Sequence, residues 1–392
     1  NTRSMTENPY RFYDPAFARQ TIDNLYTIEK DTSLMVLTTS RPNIVLLIME
    51  SWSADLIESL GGEPGITPGF RNLEMDGILF TNMLSSGSRS EQGMAAIFSG
   101  FPAHALPSIT VQPDKFIHLP TITHELNDLG YHSSFYFGGQ LIYGNIKSYI
   151  LYNEFDRVME GADFDDSLPR GKLGIHDEYT MAKVIEDMKT QQEPFFTALF
   201  TLSSHSPYDQ PMREVFDWGD NERRYINSAY YSDSCLAAFM QEARKYDWYD
   251  STLFVIVADH SHNSYRNWPY ASVEYHEIPM LWYGDVIKPE YRGTQNNHPG
   301  SQVDLSASLL AQLDLPHGEF HWSRNLFNPY SPRFRYFGYE NGLIWEEDSA
   351  SFCYDCDHKK FFWKKPAEDF DEQVIQNGMS YLQVLFQEYF DY

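Results

Sequence analysis

The chain has 392 residues, 42% hydrophobic and 16% aromatic, which excludes a disordered protein and supplies a core for one large domain plus a smaller one. Its 29 Lys and Arg against 55 Asp and Glu give a formal net charge of −26, so nucleic acid is excluded as a natural partner, a bare anionic membrane repels the surface, and cations are its natural physical partners. No apolar run reaches the ~20 residues of a membrane span, and the start, NTRSMTENPYRFYDP, lacks both regions of a signal peptide, so the sequence reads as soluble or as a soluble piece cut from something longer.

Residues 1–41 show weak helical periodicity around 17–30 and no motif, the pattern of an N-terminal wrapping arm. From Asn43 the run NIVLLIM has strand length and no polar alternation, as expected for a central parallel strand buried on both faces. It ends on Glu50, and ligands of open α/β sheets bind along the carboxyl ends of the strands. After the turn region LGGEPGITPG, the pattern predicts a short helix over 70–76, a strand over 78–83 and a helix starting near Ser90. In SGSRSEQGMAAIFSGFP, Ser88 and Glu91 have capping-box spacing, the run from Met94 to Phe98 supplies a buried face, and Gly100 with Pro102 supplies the stop. Ser90 then falls in the first helical turn, where backbone N–H groups and the helix dipole favour an anion.

A helix over 121–129 leads to the strand HSSFYF, then to the loop and helix FGGQLIYGNIKSYI. Residues 175–188 read as a helix, PFFTALFTLS as a buried strand running into His205, 222–246 as a long helix, and STLFVIVA as a strand ending in Asp259 and His260. QVDLSASLLAQL, residues 302–313, closes the main unit as an amphipathic helix. Beyond it, FRYFGYEN, GLIWEED, SASFCYD and KKFFWKK read as short antiparallel strands and 368–389 as a terminal helix. The fold expected is therefore α/β: a mostly parallel central sheet with helices on both faces, residues 42–328, followed by a small α+β lobe, residues 329–392. Cys353, Cys356 and His358 provide three of the four ligands a structural zinc needs, so a disulfide or two free thiols in a hairpin is the simpler reading; Cys235 belongs to a helix core. Trp52 and Trp282 are packing or rim residues.

Glu50, His205, Asp259 and His260 thus follow three separate strands, and Ser90 opens a helix; parallel strands would bring all five to one rim. A hydroxyl nucleophile needs a base or a metal at neutral pH. Glu50 and Asp259 as oxygen ligands with His260 as an imidazole would hold a divalent metal that activates Ser90, while Arg89 offsets charge on a phosphoryl or sulfuryl group and His205 binds that group or protonates a leaving oxygen. This mixed set suits Mn²⁺ or Zn²⁺ and accepts Mg²⁺ less readily. A metal-free Ser/His/Asp triad would use the same residue types, but G-x-S-x-G is absent around Ser90. His262 and His276 read as hydrogen-bonding or rim groups in preference to a second metal.

NIVLLIMESW, SGSRSEQGMAAIFSG, TLSSHSPY and VIVADHSH, in this order and spacing, resemble the sulfatase-like catalytic domain of the lipoteichoic acid synthase and phosphoglycerol transferase group of the alkaline phosphatase superfamily. The resemblance implies an enzyme domain at the outer side of a bacterial cell membrane, periplasmic or extracellular, normally tethered to an N-terminal membrane region absent from this sequence. It implies transfer of a phosphoglycerol-type head group from a phospholipid through a covalent enzyme intermediate to a glycan, lipid or polymer acceptor. By motif, Glu50, Ser90, Asp259 and His260 match the metal-binding set, Ser90 also the nucleophile, and His205 a phosphate contact; Mn²⁺ is the metal expected. Two positions depart from the pattern: serine replaces the usual threonine at 90, and in GGQLIYGNIKSY the expected Trp-Asn-Arg-Asp run keeps only Asn145, with Ile146 for the arginine and Lys147 as the nearby cation. Lys147 lacks the arginine's bidentate fork, which leaves the head group open. A hydrolase on the same scaffold and a non-catalytic lipid-binding domain are the alternatives; the first is weakened, as a formylglycine sulfatase, by the missing C/S-x-P-x-R signature, and the second by an intact set of site residues.

Overall fold

The computed structural model describes residues 7–105 and 107–392. NIVLLIM forms β1 (Asn43–Met49), buried at every position. With β2 (Ile78–Phe80), β3 (His132–Phe137), β4 (Arg157–Met159), β5 (Phe195–Phe200), β6 (Thr252–Ala258), β7 (Met280–Tyr283) and β8 (Thr294–Asn296) it builds, among the described residues, an eight-stranded sheet in the order β4-β3-β5-β1-β6-β7-β2-β8. Only β7 runs antiparallel to its neighbours, β6 and β2. The all-apolar β1 sits between β5 and β6, where burial on both faces rewards a run without polar alternation. Its complete burial requires a layer on each side, and the helices supply two packed groups. One joins Pro68–Glu74 and Asp177–Met188 to Arg223–Ala243, and the other joins Ile122–Asp128 and Leu305–Gln312 to Ser90–Ser99.

The strands β4, β7 and β8 were not expected from the sequence; at three or four residues they are too short for a periodicity to register. The antiparallel meander that follows is as expected: β9 (Phe334–Tyr339), β10 (Gly342–Glu347), β11 (Ser351–Asp355) and β12 (Lys360–Lys365), in the order β12-β11-β10-β9. Helix Glu372–Asp391 covers it, with the Tyr381 ring 5.2 Å from Trp345 and 4.6 Å from Tyr336. Helix Pro15–Leu25 lies along this terminal helix, and the Gln383 Oε1 accepts from both Phe12 N and Tyr13 N at 2.9 Å. Cys235, Cys353 and Cys356 are free thiols. Trp52 and Trp282 are completely buried, with Trp282 packed 4.9 Å from Phe327, so both are core residues and neither can stack on a ligand.

Candidate active site

The register of the sheet builds the centre. Met49 pairs with Ala258 at the carboxyl ends of β1 and β6, so Glu50 and Asp259, the next residues, leave the sheet side by side. On the other flank Ile48 pairs with Phe200; Thr201 follows, its N–H bonded to Ile48 O at 3.0 Å and its Oγ1 accepting from Glu50 N at 2.9 Å. Ser90 is the first residue of helix Ser90–Ser99, and its Oγ donates toward Glu50 Oε2 at 3.3 Å. The same Oγ lies 3.4 Å from His260 Nε2.

The expected capping box does not form. Arg89 is the N-cap residue, in extended backbone, with no side-chain cap bond. Gln92 takes over: its Oε1 accepts from Ser88 N at 3.0 Å, which removes Ser88 from the cap and folds the loop back on the first turn. Ser90 keeps the first-turn position that was expected. What presses it onto the strand ends is Gly93, one turn on, where a Cβ would meet Asp259 O at 2.4 Å. Only glycine admits that approach of helix to strand end.

Three ligand atoms meet beside the Ser90 hydroxyl. Glu50, Asp259 and His260 present ligand atoms that all lie within 4.8 Å of one another. The His260 Nδ1 sits 2.7 Å from Ser261 O, and a carbonyl can only accept, so Nδ1 carries the proton and the lone pair is on Nε2. That nitrogen faces Asp259 Oδ2 at 3.4 Å and Glu50 Oε1 at 3.8 Å. Asp259 Oδ1 accepts from Ser51 N and His260 N, each at 2.8 Å, whereas the buried Oδ2 has no hydrogen-bond partner among the described residues. Burial, and next the charge of Asp259, hold the Glu50 carboxyl well above the usual carboxylate range. Two buried carboxyl groups beside an imidazole lone pair, with Asp259 Oδ2 left without a donor, form an unfavourable arrangement without a cation and a good one with it, so the donor set fits a divalent metal.

The other predicted residues lie farther out. His205 is exposed on the segment after β5, its Nδ1 2.7 Å from Ser206 O. Arg89 pairs with Glu340 of the β9–β10 turn. Asn145 is exposed with φ 55° in the loop after β3, on the same rim, beside Ile142 and Tyr143, which are 63% and 81% exposed. Lys147 pairs with Glu160 Oε1 at 2.5 Å, so a neighbouring carboxylate already occupies its ammonium. His276 is a packing residue: its ring stacks on Phe337 at 3.6 Å, its Nε2 is 2.7 Å from Tyr270 O, and burial pushes its pKa down to about 3.

Several residues that shape the centre carry no sequence signal. Ser51, at φ 57°, donates to Glu50 Oε1 and lies 3.5 Å from His260 Nε2. The buried Tyr225 donates to Ser51 O and accepts from Ser53 N at 3.2 Å. Gln302 bridges two approaching segments, with Nε2 donating to Asp259 O at 2.8 Å and Oε1 accepting from Ser86 N at 2.9 Å. Asp177 accepts from Leu202 N at 2.7 Å, Ser203 N at 3.2 Å and Ser232 Oγ at 2.7 Å, setting the turn after β5.

A doubly covered, mostly parallel sheet with carboxylate, imidazole and hydroxyl at its carboxyl rim is the arrangement of the alkaline phosphatase superfamily. The chain belongs to the sulfatase family, which it matches over residues 42–315. It is similar to lipoteichoic acid synthase 1 of Bacillus subtilis, 22% identical over 294 residues, 68% of this chain and 45% of that protein. It is also similar to the lipoteichoic acid synthase of Staphylococcus saprophyticus, 25% identical over 56% of this chain and 36% of that protein, so the chain spans less than half the length of these relatives. Among solved structures, a protein in the alkaline phosphatase superfamily from Vibrio parahaemolyticus superposes with a TM-score of 0.82 at 24% identity, covering 97% of both chains. The lipoteichoic acid synthase LtaP from Listeria monocytogenes gives 0.74 at 14% identity, covering 95% of this chain and 97% of that one. The superpositions give the chain the fold of that alkaline phosphatase superfamily protein, in agreement with the sulfatase match. Among the described residues no helix is long and apolar enough to cross a membrane.

Proposed function

We propose that this domain is a metal-dependent transferase that moves a phosphoglycerol-type head group from a membrane phospholipid to a glycan, lipid or polymer acceptor, with Ser90 as the nucleophile. The observation that carries this reading is Ser90 Oγ at a helix N-terminus, 3.3 Å from Glu50 Oε2 and 3.4 Å from His260 Nε2, beside an Asp259 oxygen that has no partner. Glu50, Ser90, Asp259 and His260 would hold the metal, with Mn²⁺ favoured and Zn²⁺ or Mg²⁺ as alternatives; when bound it would lower the pKa of the serine hydroxyl and offset phosphoryl charge.

The residues do the rest. The helix that starts at Ser90 aims its dipole at the anionic phosphoryl group. Ser90 Oγ forms a bond to phosphorus as the bond to the lipid alcohol breaks; the serine proton ends on that alcohol, and His205 is the group assigned to deliver it. The acceptor hydroxyl then attacks the same phosphorus and returns a proton to Ser90, restoring the enzyme. Arg89, Asn145 and Lys147 are assigned to the head group, which requires Arg89 and Lys147 to exchange Glu340 and Glu160 for substrate. A phospholipid donor would bring the domain to a bacterial cell membrane, and the reading puts its catalytic face on the periplasmic or outer side. The family match also supports a second reading, a phosphodiesterase or sulfatase that passes the group to water.

Incubation with Mn²⁺ and a panel of phospholipid head-group analogues, followed by intact mass and peptide mapping, tests the proposal. A head-group adduct on Ser90 that discharges to an added alcohol is expected. Discharge only to water selects the hydrolase, and full activity of Ser90→Ala overturns the mechanism.

A further inference from the structure

We infer that Tyr208, through its hydrogen bond to His262, is a positioning residue that holds His205 over the Ser90 centre. This rests on the role proposed for His205 and adds the means by which an exposed loop histidine is kept in place.

Residues 204–208 are tied down at both ends, and both ties lead to segments that carry the candidate metal ligands. At the near end, Ser204 Oγ donates to the backbone carbonyl of Glu50 at 2.6 Å. At the far end, Tyr208 N donates to His205 O at 3.0 Å and closes the turn, and the Tyr208 phenol lies 3.1 Å from His262 Nε2. The His262 Nδ1 is 2.7 Å from Asn263 O, so Nδ1 is the donor there and Nε2 accepts from the phenol. His262 is itself fixed, packed against Tyr225 with ring centroids 4.4 Å apart and the planes tilted by 33°, and Tyr225 donates to Ser51 O. His262 stands two residues beyond His260, so the phenol joins the loop after β5 to the loop after β6.

The backbone shows that this anchor acts against a local preference. Tyr208 has φ 59°, in the left-handed region that a bulky side chain rarely adopts, and such a conformation persists where surrounding contacts over-determine it. Arg224 Nη2 donates to Tyr208 O at 3.2 Å, and the Tyr208 ring lies 6.1 Å from that of Tyr225. The His205 side chain is exposed, and its Nδ1 lies 2.7 Å from the adjacent Ser206 O. The placement of this imidazole therefore rests on the segment that carries it.

The test is Tyr208→Phe, which keeps the ring and removes the hydroxyl, made alone and with His205→Ala. With bis-para-nitrophenyl phosphate and Mn²⁺ as probes, Tyr208→Phe is expected to lower kcat about tenfold, a displacement-sized effect, while KM, Mn²⁺ affinity and Tm stay within error. In the His205→Ala background the same change should cost nothing further. A full second loss in that background, or wild-type kcat in Tyr208→Phe, overturns the inference. Histidine-labelled protein gives a readout independent of turnover: the His205 ring resonance should shift or broaden in Tyr208→Phe while that of His104 stays in place, and an unmoved His205 resonance overturns the inference even if the protein turns over no phosphodiester. If His205→Ala alone retains full activity, the role proposed for His205 fails, whereas the resonance still decides whether Tyr208 positions it.

Discussion

At the scale of single residues the decisive feature is repulsion. Glu50 and Asp259 are both essentially buried, and the Asp259 Oδ2 that faces His260 Nε2 has no donor. A group that binds only the folded state stabilises it in proportion to the logarithm of its concentration over its dissociation constant, about 2.7 kcal/mol at a hundredfold excess. Mn²⁺ should therefore raise the Tm of metal-stripped protein by several degrees, measured by scanning calorimetry. Glu50→Gln removes the carboxyl whose ionisation burial and Asp259 oppose: the metal-free variant should match or exceed the metal-free wild type in Tm, and the Mn²⁺ response should largely disappear. A Glu50→Gln protein that keeps the full metal shift would show that the cation binds elsewhere. Ser90→Ala separates binding from chemistry. Losing one oxygen ligand, it should retain most of the metal-induced shift and lose at least about a thousandfold in turnover, the scale of removing a nucleophile.

At the scale of elements, the centre depends on how closely helix Ser90–Ser99 lies against the end of β6. For Gly93→Ala two effects compete. Helix propensity favours alanine by about 0.5–1 kcal/mol, and overpacking against the Asp259 carbonyl, 2.4 Å from the new Cβ, costs about 1–3 kcal/mol. The contact is with backbone and cannot swing aside, so the variant should be less stable by chemical denaturation and also less active, because the helix start moves with the helix. Gln302→Ala leaves Ser86 N and Asp259 O without that partner and should cost about 1–3 kcal/mol. The C-terminal sheet takes part as well: Gly338 N in β9 donates to Ser86 O at 2.8 Å, and the Tyr336 hydroxyl donates to Ala103 O at 2.8 Å, so β9 grips the chain on both sides of the site helix.

What the sequence disclosed follows from these distances. β1, β5 and β6 were legible because a doubly buried strand has a composition of its own, and the residues after them were legible because strand ends form the rim. Ser88 with Glu91 misled, since capping-box spacing describes a local alternative that Gln92 displaces through a bond four residues long. Ser51, Tyr225 and Gln302 were invisible: the Tyr225–Ser51 and Gln302–Asp259 bonds span 174 and 43 residues, and no local pattern encodes a partner that only the fold brings near.

At the scale of the whole molecule, one buried imidazole ties the terminal helix to the rest of the fold and makes that junction sensitive to acid. His104 is buried, with its ring 4.1 Å from Tyr389 and 5.4 Å from Phe386 of helix Glu372–Asp391. Burial pushes its pKa down to about 4 from 6.5, and the Lys115 ammonium works in the same direction. The folded state therefore disfavours the proton that the unfolded chain takes up below 6.5, so this group's stability is complete above pH 6.5 and is lost as the pH falls toward 4. Asp233 acts oppositely. Burial raises its pKa to about 7, the folded state holds a proton that the unfolded chain lacks down to 3.8, and its contribution grows on acidification. A wild-type curve sums both trends, so its slope identifies neither. The difference curve does: with His104→Phe, the variant's Tm minus that of wild type should rise steadily between pH 6.5 and 4, whatever its offset at pH 8. Hydrogen exchange in the same window should quicken first in helix Glu372–Asp391 of the wild type. A pH-independent difference in Tm would mean that His104 enters the unfolding equilibrium with the same protonation in both states.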